Sequence, residues 1–426
     1  MFSSVGGFRF LSGFSLGEGI YLMSNIGDIV QGFQTSGANA FFASENSSSG
    51  NIVMTKLGLG ATTVWSKELT GSGTSEAPNN LILDSSYNSI VVGQTSSVGN
   101  TDMYISKFDS TGNLSWQRTI GDTAGDSAID VALVDSQANI VVTGKLDDGT
   151  NTYAFAAKLA SSNGSLLSQQ KIIGSYIVEA ITTDASGNMY MLCSETLDAS
   201  RNNAVIFKCQ SDFTIIWQKQ IGYSTGTTDF KGRNIAVDAS NNVYATIKRV
   251  SASEDFLVKL DSSGTLQWQT TFNYGTNNGF TGIAIDSMGN IYIAGYFGSP
   301  TTTVQLLKLD SSGALSWGRG LSGYGGGAES CGVYNISWYG GKILVNGYSS
   351  YAGTQYGMLL NVADDGSGVG TYADGYIWGF SPFSLATSSL VVNTNSASFS
   401  TTSLTDAAGT LTSSNFTTSV AHNIGF

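Results

Sequence analysis

Lysine, aspartate and tryptophan are the chemistry-bearing residues of this 426-residue chain, and they recur at fixed spacing. Lys56, Lys107, Lys208, Lys259 and Lys308 each precede a Trp by nine residues (Trp65, Trp116, Trp217, Trp268 and Trp317), and Lys158 starts a sixth copy that has no Trp. One such Lys could be catalytic, and a row of Trp could stack sugar rings. Neither chemistry needs the same residue five or six times. A residue required once per repeat is read as packing: the Trp between repeats, the Lys with its stem on an apolar face and its ammonium toward solvent or a turn carboxylate.

The aspartates follow the same logic. Asp84, Asp135, Asp184, Asp238 and Asp286 each stand four residues before an Asn: Asn88, Asn139, Asn188, Asn242 and Asn290. A carboxylate so placed accepts backbone N–H groups two residues on, and Asn or Gly tolerates the left-handed backbone such a turn needs. Calcium wants about six to eight oxygens, so one locally used carboxylate reads as a turn, not a metal site. The adjacent acids Asp147, Asp148, Asp364 and Asp365 are the metal candidates that remain, and no metal or cofactor is expected. His422 is the only histidine, which removes Ser-His-Asp triads and His-ligated zinc. Cys193, Cys209 and Cys331 have no C-x-x-C spacing, which argues against a disulfide framework or a metal cluster.

Short apolar runs flank every Asp-x-x-x-Asn piece, so each unit reads as strand A, turn, strand B, then strand C ending at the Lys and strand D around the Trp. For the fifth unit the strands are expected near 232–238, 242–249, 254–260 and 265–272, with Gly264 turning C into D. Seven such units, counting weaker copies at Thr35–Asn39 and Ser337–Gly341, occupy residues 27–380. Units of this size bury both faces only when packed side by side around an axis. The expected fold is all-β: a seven-bladed β-propeller of four-stranded antiparallel blades with short N- and C-terminal extensions. Residues 1–26 read as an arm or closing strand (Gly19–Met23), and residues 381–426 as a Ser/Thr-rich β extension serving assembly.

A strand such as AIDSMGNIYIAG followed by KLDSSGALSW resembles the bacterial β-propeller repeat known as SBBP. The resemblance covers about 350 residues and implies the same seven-bladed architecture. It departs in the first unit (no Asp), the third (no Trp) and the seventh, where GSGVGTYADGYIWGF replaces the usual D strand.

A formal net charge of −12 argues against nucleic-acid binding and against adsorption to anionic membranes. No apolar run reaches the roughly 18–20 residues of a membrane helix, and no secretory leader is expected. Loops that vary between repeats are the place for binding. The D–A loops carry Tyr223, Tyr274, Tyr324 and Asp229, the ligand-binding candidates. The expected function is non-enzymatic: a phage virion component (tail fibre, tail-tip or decoration protein) mediating host attachment or protein–protein contacts. Its expected partners are other virion proteins or copies of itself through residues 1–26 and 381–426, with a host-surface glycan or protein at the loops. The alternative is a bacterial cell-surface or secreted adhesion propeller; a propeller lyase or glycosidase ranks lower, since no unrepeated acid pair stands out.

Overall fold

The computed structural model describes residues 19–24, 29–36, 39–46, 49–58, 63–70, 76–96, 100–121, 124–198, 201–222, 229–252, 254–273, 279–298, 303–322, 331–351, 354–367, 370–371, 377–380, 386–387, 391–394, 398–401, 405–408, 412–415 and 419–425, with side chains between 39 and 367. They form seven antiparallel sheets, the blades of a seven-bladed β-propeller. Six of the blades are four-stranded meanders, A to D, the seventh has three consecutive strands and a D strand from elsewhere in the chain, and further strands are added to all.

The fifth blade is made of Phe230–Val237, Val243–Arg249, Glu254–Leu260 and Leu266–Asn273. B and C strands are buried on both faces, as in Ser89–Thr95 and Asp102–Phe108. That explains their near-continuous apolar runs where a half-exposed strand would alternate. The A strand of each blade slips register once against its B strand, for instance between Ala128 and Asp130. In the second, third, sixth and seventh blades a B-strand glycine faces this slip. A Cβ on Gly93 or Gly144 would sit 2.1 Å from an A-strand carbonyl oxygen, so no other residue fits there.

Residues 72–273 and 385–411 form one compact unit, holding the second to fifth blades. Its apolar core lies between neighbouring blades. Val141, Ala156 and Val178 share one cluster with Met191 and Phe207, and Leu192, Ile206 and Ile235 share another with Val258. Residues 1–71, 274–384 and 412–426 form the other unit, with the sixth, seventh and first blades. Its seventh blade takes its D strand from far upstream: Gly19–Ser24 pairs with Thr354–Ala363, Gly19 opposite Asn361.

After the blades the chain adds one more strand to each of them. Among the described residues, Ile377–Phe380 pairs with the sixth D strand, Ala386–Thr387 with the fifth and Val391–Thr394 with the fourth. Ser398–Thr401 pairs with the third, Thr405–Ala408 with the second and Thr412–Asn415 with the first. Ser419–Gly425 ends the series on Gly19–Ser24 itself. The blades are thus visited in descending order. These E strands begin at 391, 398, 405, 412 and 419, seven residues apart over the last five.

Candidate functional site at the junction of the third and fourth blades

In the A–B turn of the second blade, Asp84 Oδ1 accepts the backbone N–H of Ser86 and Asn88 at 2.9 and 3.0 Å, and Oδ2 accepts the Asn88 side-chain amide at 2.9 Å. Asp184, Asp238 and Asp286 repeat the pattern, and the hydroxyls of Tyr190, Tyr244 and Tyr292 donate to them at 3.0, 3.0 and 3.1 Å. Burial works to raise these carboxyls, but the hydrogen bonds they accept outweigh it. All four lie below the ordinary carboxylate range.

The Lys and Trp of one blade meet at a single carbonyl oxygen of the next. Lys208 Nζ and Trp217 Nε1 donate to Ser262 at 3.2 and 3.1 Å, and Lys308 and Trp317 donate to the Asp364 carbonyl at 3.1 and 3.2 Å. The Lys ammonium also pairs with the turn carboxylate of its own blade, 2.9 Å from Lys107 to Asp84. The ammonium was expected at solvent or a turn carboxylate. It reaches the carboxylate, but Lys107 and Lys208 are only 9% and 7% exposed, held in the seam between blades. The Trp ring rests against the C–D turn of the next blade. A Cβ on Gly164, Gly264 or Gly366 would lie 2.5, 3.1 or 2.8 Å from the ring of Trp116, Trp217 or Trp317, and each glycine has a positive φ.

At the third–fourth junction this latch is replaced. Lys158 faces Ser168 across the C–D ladder, where the other repeat Lys residues face Trp. The turn position held by Gly112, Gly264 and Gly313 in the second, fifth and sixth blades is Phe213 in the fourth, with φ +71° and the side chain buried in the junction core. The aromatic ring has changed sides of the seam. Asp135, Ser136 and Gln137 take φ of 51°, 53° and 72° in succession, a left-handed turn that costs roughly 1–2 kcal/mol per residue. In exchange, Asp135 is aimed at the fourth blade, where it accepts the Ser211 hydroxyl at 2.6 Å while pairing with Lys158 at 2.5 Å. Gln137 reaches back and accepts Ser85 N–H of the second blade at 2.7 Å. The strain is thus accounted for by bonds across two seams.

Asp130, beside the A-strand slip, spans three blades: it accepts Ile181 N–H at 2.7 Å, Val131 N–H at 2.7 Å and the Asn80 amide at 2.5 Å. Burial pushes its carboxyl up to about 6 against those hydrogen bonds.

Two clefts of about 600 Å³ open at this junction, at opposite ends of the strands. The turn-end cleft is walled by Asp135, Gln137, Asp184, Ser186, Gln210 and Ser211. The loop-end cleft is walled by Lys145, Asn151, Tyr153, Ser175, Ile177 and Thr196, among others. Only Gly174 and Ser175 separate the third D strand from the fourth A strand, whereas residues 323–330 separate the corresponding strands of the sixth and seventh blades. This short link places no long D–A loop over the loop-end cleft.

Of the loop-face candidates, Tyr223, Tyr274 and Tyr324 lie outside the described residues. Asp229 accepts the Asn202 side-chain amide at 2.7 Å, and its carbonyl accepts Val250 N–H at 2.9 Å, so it anchors its loop. The four acids suggested for metal are used locally. Asp147 accepts Gly149 N–H at 3.0 Å, Asp148 the N–H of Thr150 and Asn151, Asp364 the Trp338 indole at 2.9 Å, and Asp365 Ser367 N–H at 2.8 Å. Among the described residues no three His, Cys, Asp or Glu side chains gather to hold a metal ion. Burial pushes the Cys193 and Cys209 thiols up, leaving them poor nucleophiles. The sequence signals for the junction were the missing Trp and the short Gly174–Ser175 link.

The fold is similar to that of solved propellers. The polysaccharide lyase Uly1 matches with a TM-score of 0.51 at 8% identity over 80% of this chain and 91% of that one. The Dos1 propeller gives 0.48 at 12% identity over 81% and 95%, and Drosophila Semaphorin 1b, extracellular domains 1–2, gives 0.47 at 7% over 83% and 88%. At such identities the likeness shows the fold alone. No protein-family model and no curated protein matches the chain.

Proposed function

We propose that this protein is a non-catalytic binding propeller that engages a ligand through the loop face of its third and fourth blades. The observation that carries the reading is the gathering at one junction of the missing Trp, the displaced aromatic Phe213, the left-handed turn and a cleft beside a two-residue D–A link. A scaffold that repeats elsewhere and departs where a cleft opens is using the departure. Within this class we read the chain as a phage virion component, a tail-fibre, tail-tip or decoration protein with SBBP-type repeats. Residues 1–26 and 381–426 would meet other virion proteins or copies of the chain. Support comes from the acidic, Cys-poor, β-rich composition. Two measurements test this. Labelled full-length protein is expected to bind intact host cells and to lose binding when Thr196 and Ser175 are replaced by Arg to fill the cleft. Peptides of this chain are expected in digests of purified particles. Cell binding that survives the filled cleft would end the loop-face reading, and absence from particles would end the virion reading.

A further inference from the structure

We infer that the loop-end cleft takes a neutral saccharide, an inference that rests on the loop-face reading above. The cleft has a mixed lining, in which Thr150, Asn151, Thr152, Ser175 and Thr196 supply hydroxyl and amide groups that both donate and accept. Its apolar part is carried by Tyr153 with Ile177, which is 41% exposed. Tyr153 is held in place. The Lys171 ammonium sits 4.2 Å from its ring centroid, and its hydroxyl bonds to Asp148.

Charge decides between ligand classes. Lys145 pairs with Asp147 at 3.5 Å, and Lys171 is drawn to Asp148. Glu195, next in the chain to Thr196, accepts the Tyr176 hydroxyl at 2.7 Å and the Gln220 amide at 2.5 Å. Both cations named here already face a carboxylate and Glu195 is bonded to neutral partners, so an anionic ligand would find no uncompensated cation. A neutral ligand rich in hydroxyls, with one C–H face to lie on Tyr153 and Ile177, satisfies walls and floor together. A pyranose has that make-up, and about 600 Å³ lies within the roughly 300–1,000 Å³ range of small-ligand sites.

The test presents the full-length chain to an array of neutral and acidic glycans, with Ile177→Ala and Tyr153→Ala beside it. Both replacements lie on exposed or half-buried positions, and matching thermal midpoints confirm that the variants fold. Neutral glycans are expected to retain the protein, acidic analogues no better, and each variant is expected to weaken retention at least tenfold. Retention of acidic glycans only, retention unchanged in both variants, or none of the neutral glycans retained would each overturn the inference. The cell-binding assay separates the two failures. Host-cell binding that persists while the array stays blank rejects the saccharide but keeps the loop-face reading. Loss of both rejects the reading itself.

Discussion

The indole nitrogen of Trp116 lies 3.1 Å from the carbonyl oxygen of Ser161 one blade further on, and the Lys107 ammonium reaches the same oxygen at 3.1 Å. Trp116 is 8% exposed, so its ring and its donor are both committed to the seam. Trp116→Phe keeps most of the ring and leaves the carbonyl with Lys107, and is expected to cost about 1 kcal/mol. Trp116→Ala also empties the seam and is expected to cost about 3–5 kcal/mol. Urea midpoints at unchanged m-value measure both. Equal losses in the two variants would show that the ring contributes nothing beyond its hydrogen bond.

Ser168 and Phe213 are expected to behave as an exchanged pair. Ser168→Trp brings a second aromatic toward Phe213, and Phe213→Gly relieves the positive φ while emptying a buried site. Each alone is expected to destabilise by roughly 2–4 kcal/mol. Together they rebuild the latch used by the other blades, and a coupling of about 1–3 kcal/mol in favour of the double variant is expected. Additive losses in a double-mutant cycle would refute the exchange.

Acidity acts on this protein with two signs. The turn carboxyls Asp84, Asp184, Asp238 and Asp286 are held low, so their contribution is present above the ordinary carboxylate range and lost as pH falls through their folded values. Asp130 is held up at about 6, so its contribution is full below the ordinary range and lost as pH rises through about 6. The stability difference between wild type and Asp130→Asn should therefore shrink by up to about 3 kcal/mol from pH 4 to pH 7. Any constant cost of presenting an amide to N–H donors drops out of that slope. Parallel pH profiles for the two proteins would contradict the assignment.

Removing residues 381–426 takes away all the E strands but that on the sixth blade. Each net hydrogen bond is worth about 0.5–1.5 kcal/mol, and ordering each residue costs about 1–2 kcal/mol, so the two nearly cancel. The shortened chain is expected to fold with its midpoint little changed. Its uncovered D strands, however, should pair between molecules. Light scattering on the eluted protein should find larger oligomers than the full chain forms. A truncated protein that stays monomeric would deny the E strands this covering role.

The blades were legible because their signals are long and repeated. The expected strands of the fifth unit, 232–238, 242–249, 254–260 and 265–272, differ from Phe230–Val237, Val243–Arg249, Glu254–Leu260 and Leu266–Asn273 by at most two residues at any end. The E strands were legible in part: SLVVNT, SASFSTTSL and SNFTTSVAHNIGF read as edge strands and contain Val391–Thr394, Ser398–Thr401 and Ser419–Gly425. Four residues such as Thr405–Ala408 are too few to show a period of two, and only the seven-residue step between starts betrays them. The junction was half legible. Loss of the Trp was visible, but Phe213 in a left-handed turn runs against every local preference of a bulky residue. Its reason lies 45 positions upstream, at Ser168.

The E strands have a consequence for exchange. None of these short ladders would hold by itself. Tethered a few residues apart, each one raises the effective concentration of the next, so the set binds with an avidity that no single strand has. A stray peptide that displaces Val391–Thr394 from the fourth blade therefore competes with an intramolecular neighbour held at millimolar levels or above. An invader succeeds only if it carries several strands at the same seven-residue step, and a second copy of this chain does.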